Sequence, residues 1–393
     1  LDFTPGGMKL PLGNVLKLAT SAALSLTFGG FAEARSTGEA FGEGSWSWSA
    51  RNLIVGQTST AMLSAGGSPL YSAPMPQYSG VASLLLTYEK GLFQCTGSLL
   101  PDRLSVLSAA HCFNPSEQKG ALLGTTAFFY AGSDPDTVVA SSPASTEIPI
   151  SHLFIHPQYT GAVIDHHDVA VLRLAAEAPS FASSYGLGPS NSLTGSDFNV
   201  AGYGARSSTG GSIGANLGVG VLRQGGNSMD FRFGDPDFNG SWQVALNQPL
   251  SVTGFAYLAD FDNGLVPQDS SCRVAEAFGL NGPKYCDLGR GQREASVAGG
   301  DSGGPQFDAD FNIISVTSFG ITFGPNFGDI DGTGENRLLN SSWGEFGGYV
   351  PVYYNRSFIE TSMVQVPGPL PIAGLPVVIG LSRQLRRRLH SSR

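Results

Sequence analysis

Residues 300–305 read Gly300-Asp301-Ser302-Gly303-Gly304-Pro305, a serine set among three glycines. A serine in a Gly-rich loop is ordinarily a turn residue. Acyl transfer, however, needs a nucleophile beside backbone N–H groups that are free to bind a developing oxyanion. Gly300 lets the backbone turn its N–H toward the point that the N–H of Ser302 also faces. Gly303 and Gly304 leave the approach to the hydroxyl open, and Pro305 stiffens the exit. Such a serine needs a base, and Leu107-Ser108-Ala109-Ala110-His111-Cys112 offers His111. A carboxylate must then orient the imidazole. Asp168-Val169-Ala170-Val171-Leu172-Arg173-Leu174 places Asp168 directly before an apolar run, with Asp165 a rival three residues earlier.

Together these segments resemble the chymotrypsin/trypsin-like serine proteases. The hexapeptide around Ser302 and the segment around His111 match that family's nucleophile and histidine motifs without a substitution. His156-Pro157-Gln158-Tyr159 is similar to the stretch that precedes the family's aspartate. The order His111, Asp168, Ser302 also agrees, since subtilisins run Asp-His-Ser and α/β-hydrolases Ser-Asp-His. The resemblance implies a serine endopeptidase acting on protein or peptide substrates, with Gly300 and Ser302 as oxyanion hole. It also implies an all-β fold of two antiparallel six-stranded barrels with the active site between them. Val200-Ala201-Gly202-Tyr203-Gly204 resembles the strand opening the second barrel, and Val352-Tyr353 a pair in the last strand. Ser318-Phe319-Gly320 resembles the edge that takes substrate backbone as an added strand. Cys95 is implied to bridge Cys112, and Cys272 to bridge Cys286.

Three departures stand out. Ala298 occupies a place where the family usually has a cysteine, and the partner cysteine is missing too. Ile54-Val55-Gly56 is the candidate for the activation segment whose freed N-terminus pairs with Asp301, although Arg51 does not immediately precede it. Ser296, six residues before Ser302, stands where trypsin-like enzymes carry a pocket aspartate. The expected preference is therefore apolar or aromatic, not Lys/Arg.

Bulk properties agree with an exported β protein. Charged residues are 13% of the chain, against roughly 25% in an average soluble domain. A net charge of −9 argues against a nucleic-acid surface. Four cysteines in two local pairs without CxxC spacing read as two structural disulfides; the alternative is four free thiols in a cytosolic protein. Short runs such as Val81–Tyr88, Val138–Ala140, Val169–Leu174, Trp242–Leu246, Asn312–Thr317 and Tyr349–Tyr354 read as strands. No helix longer than three turns is expected between them. The Gly/Ser/Asn-rich stretch Arg206–Gly240 reads as a long insertion.

Both ends look like addresses. Met8 opens a segment with Lys9 and Lys17, an apolar run Leu18–Phe31, and Ala32-Glu33-Ala34 as cleavage site, so residues 1–34 read as a signal peptide behind seven extra residues. Residues 35–76 read as a poorly ordered linker or propeptide, apart from whatever docks Trp46 and Trp48. The peptidase domain is expected over 77–365, its barrels meeting near residue 190. Val366-Pro367-Gly368-Pro369, a short apolar run and the arginine-rich Arg383–Arg388 then resemble bacterial PEP-CTERM sorting tails. That resemblance implies processing by an exosortase, transient membrane association through the tail (residues 366–393), and a secreted or cell-surface location.

No cofactor or dedicated metal is expected. His152, His156, His166 and His167 are of metal-ligating type but lie in the segment already accounted for. Structural calcium is a candidate at Asp134-Asp136 or at Asp260-Asp262-Asn263, residues that also simply make turns. The competing functional reading is a catalytically inactive, protease-fold binding module at the cell surface.

Overall fold

The computed structural model describes residues 40–43, 46–51, 54–280, 282–331 and 339–364. The signal-peptide segment and the sorting tail lie outside them. Within them, no helix is long and apolar enough to cross a membrane.

Six antiparallel strands close a first barrel in the order Val81–Tyr88, Gly91–Leu99, Ser105–Ser108, Ala170–Leu174, Ser145–Ile155, Leu122–Tyr130. Leu84, Leu86, Leu99, Val106, Phe129 and Leu172 are wholly buried in its core. A second sheet runs Arg223–Ser228, Asp197–Gly202, Pro305–Phe307, Ile313–Thr322, Glu345–Pro351, Tyr257–Phe261, Phe231–Arg232. It curls into an open half-barrel instead of closing. The architecture is the two-barrel chymotrypsin-like fold. Trp242, Phe231, Phe233, Phe238 and Phe346 fill one side of the second unit.

Several local expectations change. Trp242–Leu246 lies in a helix, Ser241–Leu246. Its buried residues Trp242, Ala245 and Leu246 follow the i, i+3, i+4 spacing of one helical face. Val139–Ser141 is a short 3₁₀ turn. The last strand stops at Pro351, and Val352-Tyr353 begin a 13-residue helix, Val352–Val364, longer than the three turns expected. That helix buries Val352 and Ile359 against the first barrel's core, and Met363 O accepts a hydrogen bond from Arg173 Nη1 (3.3 Å). Arg206–Gly240 is no mere insertion, because it supplies the Arg223–Ser228 and Phe231–Arg232 strands.

The linker expected at 35–76 is built into the fold over its described part. Ser47–Arg51 pairs with Gly320–Thr322 of the Ile313–Thr322 strand, and Ala40–Glu43 pairs with Ser47–Arg51 in turn. Trp48 is buried among the second unit's aromatic residues, its Nε1 donating to Leu246 O (3.3 Å). Such apolar burial stabilises a segment that its small polar composition would otherwise leave loose. Disulfides join Cys95 to Cys112 and Cys272 to Cys286.

Candidate active site

The register of the first barrel brings His111 and Asp168 together. Ser108 pairs with Ala170 in adjacent antiparallel strands, so the chain emerges toward His111 and arrives from Asp168 at the same barrel end. The 3₁₀ turn Ala110–Phe113 then carries the histidine. His111 Nδ1 lies 2.6 Å from Asp168 Oδ2, and the His111 backbone N–H donates to Asp168 Oδ1 (2.8 Å). Both carboxylate oxygens thus hold one residue. Ser318 Oγ adds a third contact to Asp168 Oδ2 (2.6 Å). Its strand pairing slips by one residue between Thr317 and Phe319, an irregularity of the kind that re-aims a side chain. Asp165 is occupied elsewhere, accepting from Thr160 N–H and Oγ1 (both 2.7 Å) and His167 N–H (2.8 Å).

The backbone around Ser302 is tied to the first barrel's second strand. Thr96 N–H donates to Ser302 O (2.8 Å), and Thr96 Oγ1 to Gly300 O (2.9 Å). Cys112 Sγ lies 3.9 Å from His111 Nε2 and 3.8 Å from Ser302 O, so the disulfide sulfur sits between base and nucleophile segment. Gly303 has φ 82°, and a Cβ there would come within 2.0 Å of Ser108 Oγ and 2.4 Å of Thr96 O. Only glycine fits that close approach. The Gly303 N–H goes to Thr317 O (2.9 Å) and that of Gly304 to Asp301 O (2.7 Å). Among the described residues, no backbone or side-chain acceptor takes the N–H of Gly300 or of Ser302. Two free donors beside a serine hydroxyl suit a developing oxyanion.

Asp301 is fully buried. Its carboxylate accepts the N–H groups of Gly204 (2.7 Å), Ala298 (2.8 Å) and Ile54. Val55–Gly56 continues from Ile54 into a two-stranded pairing with Ala295–Ser296. Ser296 is thereby placed, buried, beside the candidate activation segment. The Phe319 ring is wholly buried, stacked on Phe233 with centroids 6.5 Å apart, so it lines no open surface. The outer edge of Gly320–Thr322 is covered by the chain's own Ser49–Arg51.

Burial pushes the Asp301 carboxyl up to about 7, against the opposing pull of its three N–H donors. The folded chain therefore holds a proton there that the unfolded chain, with an ordinary value of about 3.9, releases. This contribution to stability is complete below about pH 4 and lost as pH rises through 7. Asp301→Asn, on a Ser302→Ala background that prevents self-cleavage, should flatten that decline. Urea midpoints from pH 4 to 8 measure it, and parallel profiles for the two proteins would contradict the assignment.

Two further features escaped the sequence. Lys119 is buried, donates from Nζ to His111 O (3.1 Å) and lies 4.9 Å over the Tyr88 ring. Burial brings its pKa down to about 8, with Asp168 pulling the other way. No motif marks it, because only folding brings the Lys119 loop to the histidine turn. The other is Glu294, which joins Asp260 and Asp262 in a carboxylate group, while Asn263 Oδ1 accepts Leu265 N–H (3.0 Å) instead. Asp136 binds Leu63 and Ser64 N–H (2.6 and 2.8 Å) and pairs with Arg223 (3.5 Å). His156 and His167 stack face to face at 4.2 Å, and His166 packs edge-on against His167.

Comparison with known families bears on the fold. Residues 73–227 match the family model described as Trypsin. No curated protein matches the chain. The Trypsin match supports a trypsin-like serine protease fold and spans His111 and Asp168. It ends before Ser302, whose position rests on its own motif and contacts.

Proposed function

We propose that this chain is a serine endopeptidase in which His111 is the base, Asp168 orients it and Ser302 is the nucleophile. The observation that carries this reading is the double hold of Asp168 on His111, at Nδ1 and at the backbone N–H. With Nδ1–H fixed on Asp168, Nε2 is left to take the Ser302 Oγ proton as Oγ attacks the scissile carbonyl. The N–H groups of Gly300 and Ser302 bind the oxyanion. Its collapse breaks the C–N bond, and His111 gives its proton to the departing amine. Water then attacks the acyl-enzyme, losing a proton to His111 and releasing the acid and Ser302. Ser296, in place of an acidic residue, favours apolar or aromatic side chains over Lys/Arg. A fluorophosphonate should label Ser302 of the folded protein that begins at Ile54. Lack of labelling would make the non-catalytic binding module the correct reading.

Export by the signal peptide and sorting through the PEP-CTERM-like tail complete the proposal, and two disulfides suit such a location.

Activation follows from two contacts. In the intact chain the Ile54 amide already donates to Asp301. A cut between Leu53 and Ile54 would put an ammonium there and hold the carboxylate ionised. The same cut would release Ser47–Arg51 from the substrate edge. Trp48 anchors that strand, and truncating a buried Trp typically costs about 3–5 kcal/mol. Trp48→Ala should therefore raise peptide hydrolysis by the uncut chain at least about tenfold, measured with a fluorogenic peptide. An unchanged rate, or an active protein starting anywhere but Ile54, sinks this route.

A further inference from the structure

Behind the strand that carries Ser296 lies a group of buried carboxylates. One oxygen each from Asp260, Asp262 and Glu294 lies within 4.8 Å of the other two. These residues are 4%, 0% and 0% exposed. Asp230 and Asp269 are also buried nearby, Asp230 Oδ2 accepting the Asp260 N–H (2.7 Å). Among the described residues, none of the five pairs with a Lys or Arg. Arg290 gives its backbone N–H to Glu294 Oε2 (2.8 Å) but turns its guanidinium to Asp197.

Backbone donors satisfy several of the oxygens. Ser271 N–H binds Asp260 Oδ2 (2.9 Å), Asp262 N–H binds Glu294 Oε1 (3.0 Å), and Gly264 N–H binds Asp262 Oδ1 (2.5 Å). Asp262 Oδ2 is buried and has no donor among the described residues. Buried carboxylates without a compensating cation are strongly unfavourable, and an orphaned oxygen among them marks a missing partner.

We propose that Asp260, Asp262 and Glu294 form a calcium site that braces the pocket side of the second sheet. The donors are all oxygen, which selects a hard cation. Their mutual span suits two oxygens across an ion with metal–oxygen distances of roughly 2.3–2.6 Å. Magnesium is smaller and keeps several of its waters, whereas calcium accepts an irregular protein cage. The ion would join three segments. Asp260 lies in the Tyr257–Phe261 strand, Asp262 just beyond it, and Glu294 directly before Ala295–Ser296. Gln57, beyond the Ile54–Gly56 segment, donates its backbone N–H to Glu294 O (3.2 Å) and its amide to Asp262 O. Calcium thus locks the floor under Ser296 to the segment that contacts Asp301.

The test uses the full chain as Ser302→Ala, stripped with EDTA and titrated with CaCl2 by calorimetry and thermal melting. Calcium at about 100 times its Kd should raise Tm by about 5 °C. The Asp262→Asn variant should bind one calcium fewer and lose that rise, while in EDTA it melts no lower than the parent because one buried charge is gone. Glu294→Gln serves as a second variant should Asp262→Asn not fold. Asp331→Asn, in the separate Asp329–Asp331–Glu345 group, should leave the site intact. A parent that binds no calcium overturns the proposal. So does a calcium stoichiometry lowered by Asp331→Asn and untouched by Asp262→Asn. Neither result bears on the triad, which fluorophosphonate labelling tests separately.

Discussion

Ser302→Ala is expected to lower kcat by about 10⁴-fold or more while KM and the melting temperature stay nearly unchanged. The side chain lost is one hydroxyl, and the hydrogen bonds that shape its loop are made by backbone. Thr96 N–H still reaches the carbonyl of residue 302, and Gly303 and Gly304 keep their bonds to Thr317 and Asp301. Substrate binding, proposed to run through strand pairing and a pocket at Ser296, is not routed through Oγ. What disappears is the covalent path, together with fluorophosphonate labelling. Single-turnover kinetics on the form starting at Ile54 measure it. A drop of less than about tenfold would mean that another residue is the nucleophile.

Asp168→Asn should reduce kcat by about 10³–10⁴-fold, whereas Asp165→Asn should change it less than about tenfold. Asp168 holds Nδ1 and the backbone N–H of His111 and accepts from Ser318, so an amide there disturbs the tautomer that leaves Nε2 free. The Asp165 carboxylate instead binds Thr160 and His167, and its loss should lower stability by about 1 kcal/mol through the turn it closes. Comparing kcat and urea midpoints for both variants separates the roles. Equal kcat losses would contradict the assignment of Asp168.

The site was legible where chemistry is compressed into contiguous residues. The segments around His111 and Ser302 carry the proposed base, nucleophile and oxyanion donors within a few positions each. Asp168 stood beside a rival that only the Ser108–Ala170 register separates from it. What sequence obscured was mostly short or long-range. Trp242–Leu246 is too short for periodicity to tell a strand from a single helical turn. Val352-Tyr353 continue an apolar strand in sequence, but the burial of Val352, Asn355 and Ile359 follows a helix. The polar composition around Trp46 and Trp48 suggested a loose linker, because it contained no sign of the aromatic cluster that receives Trp48. Glu294 lies more than thirty residues beyond Asp260 and Asp262, and only the sheet makes them neighbours.

The pairing of Ser47–Arg51 with Gly320–Thr322 has a further consequence. A strand tethered two residues from Ile54 faces its docking edge at an effective concentration on the order of millimolar. An outside peptide binding that edge with micromolar to millimolar affinity competes against this local excess, whatever the total enzyme present. Severing the tether converts the occupant into a free peptide that dilutes into the surrounding medium. On the proposed activation route, one cut would thereby change the competition from an intramolecular one, indifferent to dilution, into a bimolecular one that dilution resolves in the substrate's favour.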